Sequence, residues 1–254
     1  MNRGAGHQQV FFTQQDGRQF ERLLSDAHTL FGVEVHAYCL MRNHYHLLLH
    51  CPEAGLSPFM QHVGAIYTRR LNERLGRDGP LFRSRFHSIL IDSAEYLAWA
   101  GRYIHRNPLD VSPSVRLDQY RWSSFRYYVG RLATPSWIRT SMLLDMFGGS
   151  RASYAEFVDG ETTHRAIAPT TLAAIIDMLL EEADWTIDER RGLNRTVAIE
   201  MLSHCDADIR TGLEQLLAFP SGDARRMAQL RARRRVEQLP ELSRVVAIAL
   251  ELAA

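Results

Sequence analysis

Residues 33–49 hold the pattern that most restricts how this chain can fold, because two short apolar runs follow each other across a polar link. The runs 33–40 and 44–49 are rich in aliphatic and aromatic residues and have the length of strands. Arg42 and Asn43 form the polar link between them. The two strands are therefore predicted to form a hairpin.

Helices are predicted on both sides of this hairpin. Residues 20–31 repeat apolar positions at helical spacing, and Gly32 follows as a helix stop. After the hairpin, Ser57 is a suitable N-cap with Pro58 in the first helical position, and Gly76 is the matching C-cap. The hairpin thus separates two amphipathic helices.

The segment 81–91 alternates in a way that is typical of a strand. Phe82 and Phe86 share one face, whereas Arg83 and Arg85 share the other. A third strand with one basic face is therefore predicted.

A third helix is predicted over 93–106. Asp92, with Glu95 three positions later, resembles a capping box. Pro108 disfavours helical geometry in the residue before it, so the helix is expected to end near Asn107.

The predicted order is helix, strand, strand, helix, strand, helix, which is that of a ferredoxin-like antiparallel sheet whose first strand is missing. Only residues 9–12 offer a short candidate for that strand. The predicted fold is therefore an α+β domain over residues 1–130. A connecting region is expected over 131–165, followed by an all-α accessory domain of unknown role over 166–254, with helices at 172–180 and 196–202.

Charge is divided unevenly along the chain. Residues 1–130 contain 15 arginines and 11 acidic residues, whereas residues 131–254 contain 15 and 18. A polyanion is therefore expected to favour the first half. The chain contains no lysine, so every fixed cation is a guanidinium suited to bidentate phosphate contacts, although genome base composition is the simpler explanation.

The sequence gives no sign of a membrane or secreted protein. No apolar run is long enough to span a bilayer, and the N-terminus carries no apolar signal segment. Cys39, Cys51 and Cys205 are too few and too scattered for a disulfide framework. We expect a cytoplasmic protein with reduced thiols.

His44 and His46 are the first candidate ligands. Because side chains alternate along a strand, both project from one face about 7 Å apart, close enough to share a cation. Such a pair is more often a polar strand face exposed to solvent. His50 lies on the same face and is expected to be a bystander.

Tyr103 and Asn107 are four positions apart and share one side of the third predicted helix. Tyr96 and Trp99 continue that side. An aromatic stripe at this spacing is typical of core packing, so periodicity alone does not make Tyr103 reactive. His105, on the same helix, is expected to be a bystander.

Three ordered segments make these candidates more specific. Residues 41–49 (MRNHYHLLL), 79–87 (GPLFRSRFH) and 103–108 (YIHRNP) closely resemble the REP-associated tyrosine transposases. These enzymes form a single-tyrosine branch of the HUH endonucleases, named for two histidines that flank a hydrophobic residue. The similarity extends through residues 120–125 and so covers about the first half of the chain.

The resemblance implies a reaction and its residues. It makes Tyr103 the nucleophile and assigns a divalent cation, Mg²⁺ or Mn²⁺, to His44, His46 and Asn107. The implied activity is nicking and rejoining of single-stranded DNA through a covalent 5′-phosphotyrosine, which keeps the bond energy and needs no ATP. A cation would stabilise the charge that develops on the phosphate. Tyrosine has an ordinary pKa of about 10, so the metal or a nearby base must assist its deprotonation.

The expected partner is single-stranded or hairpin DNA, with the choice between monomer and dimer left open. Arg83 and Arg85 are expected on the histidine face, where they would follow the DNA backbone. Arg69 and Arg70 are a second candidate phosphate-binding pair. Their place near a helix C-terminus also suits cations for purely local reasons.

Relatives in this family normally begin with a strand just before the segment 2–4, so the sequence is expected to start inside or just past that strand. Extended translation upstream is expected to restore an apolar strand. A decayed transposase is the interpretation that remains if no upstream coding sequence exists.

Two other interpretations stay open. A ferredoxin-like sheet also serves as a platform in non-catalytic nucleic-acid-binding modules, whose function would not need the Tyr103 hydroxyl. A Zn²⁺ site built from Cys39, His44, His46 and Cys51 is the second. Regular strands would turn both cysteines away from the histidine face, which argues against it.

Overall fold

The chain divides into two compact units, Met1–Gly160 and Glu161–Ala254. The structure, a computed structural model, describes residues 1–91, 93–160, 176–177, 180, 187–205 and 207–253. Residues 131–160, where the sequence predicted a connecting region, lie in the first unit. In the part of the chain that the structure describes, none of the helices combines the length and the hydropathy that a membrane span needs.

A three-stranded antiparallel sheet forms the centre of the first unit. Its strands are β1 (Asn2–Arg3), β2 (Glu34–Leu40) and β3 (His44–His50), in the spatial order β1-β3-β2. The predicted hairpin is confirmed, since β2 and β3 are neighbours across the link at 41–43. The two-residue β1 lies directly beside the histidine strand, where Arg3 is opposite His44.

Two helices pack on one face of this sheet. They are α1 (Gln14–Phe31) and α2 (Leu56–Leu75), and each buries an apolar stripe. The ring of Phe20 lies 4.7 Å from that of Tyr45 and 5.1 Å from that of Tyr67, measured between centroids. Tyr45 therefore points into the helical side of the sheet, as strand alternation predicted.

Both helices end where the sequence predicted. Gly32 and Gly76 adopt the left-handed conformation, with φ of 64° and 60°, which closes each helix at low steric cost. The start of α2 differs from the prediction, because Gly55 rather than Ser57 is the N-cap.

α1 begins earlier than its apolar periodicity indicated. Thr13 and Asp16 cap each other reciprocally, and polar caps leave no trace in a hydrophobic pattern. The buried Asp16 carboxylate also accepts a hydrogen bond from Arg74 on α2 at 2.7 Å. One buried acid thus fixes the start of α1 and the end of α2.

The segment after α2 is extended but is not the regular strand predicted over 81–91. The backbone N–H of Arg83 donates to the Arg3 carbonyl at 2.9 Å, so this segment lies along β1. Because β1 has only two residues, no longer ladder forms, and residues 88–91 continue beyond it. The order β-α-β-β-α followed by an extended segment confirms the predicted ferredoxin-like α+β class.

Residues 120–124 cover the outer edge of β2. The N–H of Leu40 donates to the Trp122 carbonyl at 2.8 Å, and the N–H of Ser124 donates to the Tyr38 carbonyl at 3.0 Å. The motif segment at 120–125 therefore belongs to the same fold as the hairpin.

The histidine face of the sheet is covered by α3 (Ala94–Arg106). Ser93 caps its start by accepting from the N–H of Tyr96, which replaces the predicted cap at Asp92. Asp92 lies outside the described residues. The helix ends at Asn107 before Pro108, as predicted.

Three short helices follow in the first unit, and the described part of the second unit is helical. The short helices are α4 (Phe125–Tyr128), α5 (Ser141–Asp145) and α6 (Arg151–Asp159). Those of the second unit are α7 (Ile187–Met201), α8 (Ala207–Leu217), α9 (Gly222–Gln238) and α10 (Pro240–Ala253). The helix predicted at 196–202 falls largely within α7, and most of 172–180 lies outside the described residues.

Candidate active site

β3 and the end of α3 bring together the four residues that the sequence predicted as metal ligands and nucleophile. The rings of His44 and His46 lie 5.1 Å apart between centroids. Asn107 Oδ1 is 3.2 Å from His44 Nε2, although the two residues are 63 positions apart in sequence. The ring of Tyr103 stands edge-on to that of His46, with centroids 5.5 Å apart and planes at 89°.

Hydrogen bonds fix which atoms face the centre of this cluster. Each ring nitrogen of His44 lies near an amide oxygen: Nδ1 is 2.8 Å from Asn43 Oδ1 and Nε2 is 3.2 Å from Asn107 Oδ1. The shorter contact favours the tautomer with the proton on Nδ1, in which Nε2 presents its lone pair to Asn107. The Asn107 amide nitrogen donates to the Tyr103 carbonyl at 3.5 Å, which turns Oδ1 toward His44. In that tautomer, two electron-pair donors, His44 Nε2 and Asn107 Oδ1, face each other.

That arrangement fits a shared cation. Two octahedral Mg²⁺ ligands at right angles are about 3.0 Å apart, close to the observed separation of His44 Nε2 and Asn107 Oδ1. Imidazole nitrogen and amide oxygen are both acceptable ligands for Mn²⁺ or Mg²⁺. The sequence reasoning missed Asn43, which it treated only as a link residue although it adjoins a candidate ligand.

Tyr103 is buried, as are His46 and Asn107. Burial fits a core-packing role as well as a reactive one. The ring packs edge-on against the imidazole of His46 on the sheet, which places it beside the candidate metal ligands.

Arginines of α3 anchor this helix to the end of α6. Arg102 Nε donates to the Phe157 carbonyl at 2.8 Å, and its Nη2 donates to the Gly160 carbonyl at 3.1 Å. Arg106 Nη1 donates to the Val158 carbonyl at 2.8 Å. Carbonyls at a helix C-terminus lack intrahelical partners and attract cations, so these contacts fasten α3.

His105 links the same helix to the sheet. Its Nδ1 lies 2.9 Å from the Tyr154 hydroxyl and its Nε2 lies 2.8 Å from Ser124 Oγ. Ser124 Oγ also accepts from the N–H of Tyr38 on β2 at 2.9 Å. Burial lowers the pKa of His105 to about 3, so the imidazole is neutral at physiological pH. This residue orients α3.

Arg83 and Arg85 are both exposed. Phe82 and Phe86, which alternate with them, pack against the core between the sheet and α1 and α2. The two arginines therefore lie on the solvent side of this segment, and their expected place on the histidine face stays a prediction. Arg3, opposite His44 in the β1–β3 register, shares the face of that histidine, is buried and was not predicted.

The second arginine pair lies on the surface of α2. Arg69 Nε is 3.9 Å from a carboxylate oxygen of Glu73, one turn along the helix, and Arg70 is exposed. An exposed pair of this kind contributes little to stability.

The structure does not assemble the alternative zinc site. Cys39 lies opposite His46 in the β2–β3 register and so shares the histidine face, which corrects the expectation that it faces away. Cys51 packs against the core on the other side. Within the described ranges, one group of three or more metal-ligating His, Cys, Asp or Glu has its ligand atoms within 4.8 Å of one another, and it consists of Glu34, His36 and His50.

Comparison with models of protein families gives a match over the first part of the chain. Residues 6–107 match the model of the family described as "Transposase IS200 like". That range contains the hairpin, α2, α3 and all four residues of the candidate site, and it is less than half of the 254-residue chain. The match shows that this part of the chain is similar to that family. Neither the curated proteins nor the solved structures give a significant match.

Proposed function

We propose that the first unit is a metal-dependent transposase that nicks and rejoins single-stranded DNA through a covalent bond to Tyr103. One observation carries the proposal: the Tyr103 ring packs against His46 beside the facing pair His44 and Asn107. The family match supports the transposase activity. The REP-associated branch and hairpin targets rest on the resemblance of the three ordered motifs.

His44, His46 and Asn107 would hold Mg²⁺ or Mn²⁺. When bound, the cation supplies positive charge that stabilises the oxygens of the scissile phosphate. Asn43 keeps His44 Nε2 directed inward, and the Tyr103 carbonyl keeps the Asn107 amide turned toward it. Because two neutral imidazoles and an amide bring no negative charge, little of the cation's charge is cancelled by the protein.

Tyr103 Oη attacks the phosphorus in the proposed reaction, and a phosphorus–Oη bond forms as the phosphorus–O3′ bond breaks. The phenol proton passes to a base or to water, and the leaving O3′ takes up a proton to become a 3′-hydroxyl. One phosphoester bond replaces another, so attack by a 3′-hydroxyl can reverse the step without ATP. In-line attack requires a fixed nucleophile, which the anchors of Arg102 and His105 provide.

Single-stranded or hairpin DNA is the proposed partner. The exposed Arg83 and Arg85 would contact its phosphates on the histidine side of the sheet. Arg69 and Arg70 are proposed as a second phosphate contact. The exposed ion pair of Arg69 with Glu73 is weak, so a phosphate can replace the carboxylate at little cost. The proposed role agrees with the cytoplasmic location predicted from the sequence, because the enzyme must share a compartment with its DNA. The all-α second unit is proposed as an accessory domain.

The decisive experiment is a search for a protein–DNA adduct that survives denaturation. The full-length protein is incubated with hairpin-bearing single-stranded DNA, with Mn²⁺ or with a chelator. Tyr103→Phe is expected to abolish the adduct, whereas Tyr96→Phe on the same helix is expected to retain it. An adduct that persists in Tyr103→Phe removes this residue from the mechanism. DNA binding by the wild type with no adduct at any metal concentration would instead identify a non-catalytic module or a decayed enzyme.

A further inference from the structure

A second cluster of metal-ligand side chains lies at the other end of the hairpin. Glu34 opens β2 and His50 closes β3, and the two residues are cross-strand partners. With His36, their ligand atoms all lie within 4.8 Å of one another. His50 is four residues beyond His46, or about 13 Å along the strand, so this cluster is separate from the candidate active site.

His36 occupies a special backbone position. The β2–β3 register shifts between Val35 and Ala37, so His36 is the extra residue of a β-bulge. Bulges change the direction in which a strand side chain points and occur often near functional sites. On the N-terminal side of this bulge, Glu34 and His50 form a regular cross-strand pair.

One nitrogen of the His36 imidazole is hydrogen-bonded to a backbone carbonyl, and the other faces the cluster. Nδ1 lies 3.0 Å from the Arg139 carbonyl, which can only accept, so Nδ1 carries the proton. Nε2 therefore presents a lone pair; it is buried, has no hydrogen-bond partner, and lies 3.7 Å from Glu34 Oε2. The whole residue is 1% exposed. An acceptor buried without a donor is costly, and a cation would remove that cost.

The separations between ligand atoms suit a tetrahedral metal ion. Ligands about 2.0–2.1 Å from Zn²⁺ are about 3.3–3.4 Å apart in such a site. The observed separations are 3.2 Å from Glu34 Oε2 to His50 Nδ1 and 3.7 Å from Glu34 Oε2 to His36 Nε2. The side chain of His50 is 50% exposed, which leaves room for water as a fourth ligand.

Arg139 supports the carboxylate from outside the cluster. Its Nε lies 2.8 Å from Glu34 Oε1, which leaves Oε2 directed at the imidazoles. Outer contacts of this kind orient metal ligands in many sites. The same residue supplies the carbonyl that holds His36, so one residue positions two of the three ligands.

We propose that Glu34, His36 and His50 form a second metal site that binds a divalent transition-metal ion of the Zn²⁺ type. Two imidazoles and one carboxylate are a known zinc donor set, and the nitrogen-rich set favours Zn²⁺ over Mg²⁺. The ion fastens the start of β2 to the end of β3. This site is independent of the proposed DNA chemistry.

The test is to count bound Zn²⁺ on the full-length protein by equilibrium dialysis and elemental analysis. His50→Ala is expected to bind one Zn²⁺ fewer per chain than the wild type, or to bind it at least about tenfold more weakly. Loss of a residue that only orients a metal ligand already lowers metal affinity about tenfold, and His50 is itself a proposed ligand. Glu34→Gln, which preserves size, is expected to do the same. The control is His204→Ala. The side chain of His204 is 48% exposed and its Nε2 lies 3.4 Å from a Glu200 carboxylate oxygen, much as His50 lies near Glu34. The described residues add no third ligand to this pair, so it is not expected to hold Zn²⁺.

A second readout is the melting temperature. Zn²⁺ is expected to raise that of the wild type and of His204→Ala more than that of His50→Ala, because a ligand that binds only the folded state stabilises it. Equal Zn²⁺ stoichiometry and affinity in wild type, His50→Ala and Glu34→Gln would overturn the proposal. The adduct assay with Mn²⁺ reports on the other site, so either proposal can fail while the other stands.

Discussion

Arg102, the residue before Tyr103, donates a hydrogen bond from its Nε to the backbone carbonyl of Phe157 at 2.8 Å. The guanidinium is 1% exposed and makes a second hydrogen bond to Gly160. The candidate nucleophile is therefore held by residues more than fifty positions further along the chain.

Arg102→Ala is expected to destabilise the first unit by roughly 3–6 kcal/mol, because hydrogen bonds from a charged donor are worth about 1.5–3 kcal/mol each and two are lost. Urea unfolding followed by tryptophan fluorescence measures this, since Trp99, Trp122 and Trp137 all lie in that unit. Arg69→Ala, which removes only an exposed ion pair, is the control and should change stability by less than about 1 kcal/mol. Equal effects of the two variants would contradict the anchoring role.

Acid is expected to destabilise the protein through His105. Burial lowers the folded-state pKa of this residue to about 3, whereas the unfolded chain titrates near 6.5. Between these values the unfolded state binds a proton that the folded state does not, so stability falls as pH decreases below 6.5. Above pH 7 the residue contributes no pH dependence.

From pH 7 to pH 5 the wild type should therefore lose roughly 2 kcal/mol more than His105→Gln, which cannot titrate in this range. The free energy of unfolding is measured for both proteins at each pH. The other histidines contribute equally to both, so the difference isolates His105. Parallel pH profiles would show that the imidazole is not kept neutral by burial.

Asn43 is expected to act on metal affinity rather than on the chemical step. Asn43→Ala removes the acceptor that orients His44, and losses of this kind cost about 10–100-fold in affinity. The Mn²⁺ concentration for half-maximal adduct formation should rise by that factor, with the rate restored at saturation. Asn72→Ala, which removes an amide that donates to the Gly79 carbonyl instead of contacting His44, should behave as the wild type. A loss of rate that saturating metal cannot restore would argue against a positioning role.

Arg83→Gln and Arg85→Gln are expected to weaken binding of single-stranded DNA similarly across sequences. Each variant should reduce the slope of log affinity against log salt by about 0.7, the value for one lost phosphate contact on a single strand. Arg74→Gln provides the contrast, because Arg74 is engaged by buried Asp16 and should affect stability instead of the slope. An unchanged slope in Arg83→Gln and Arg85→Gln would place the DNA elsewhere.

Local patterns predicted the hairpin, the helix ends and the candidate site. Strand alternation placed His44 and His46 on one face, and helical spacing placed Tyr103 and Asn107 on one side of α3. Both relations depend only on residues within a few positions of each other. The ordered motifs then connected the two elements, which periodicity could not do.

The contacts that hold the site in place were not predictable in the same way. α5 and α6 have five and nine residues, too short to give a clear period, so the sequence predicted only a connecting region over 131–165. The contacts of Arg102 and His105 join residues far apart in the chain. A sequence pattern carries no information on which distant carbonyl a buried arginine will meet.

Cys39 shows how register limits such reasoning. Its partner across the hairpin is His46, and Leu40 is opposite Tyr45. A slip of one residue reverses the face of every side chain on a strand, and the link at 41–43 sets that register. The bulge at His36 is likewise invisible in the sequence, although it directs an imidazole into the second cluster.

The covered edge of β2 also limits how copies of this protein can associate. Trp122 and Ser124 already occupy the backbone groups of Leu40 and Tyr38, and further along β2 the Arg139 N–H donates to the Val35 carbonyl. A strand from a neighbouring molecule therefore finds no continuous row of free amides and carbonyls there, and cannot extend the sheet at β2. If the enzyme works as a pair, the two copies meet through side chains or at another edge, and mutations on the outside of β2 will not separate them.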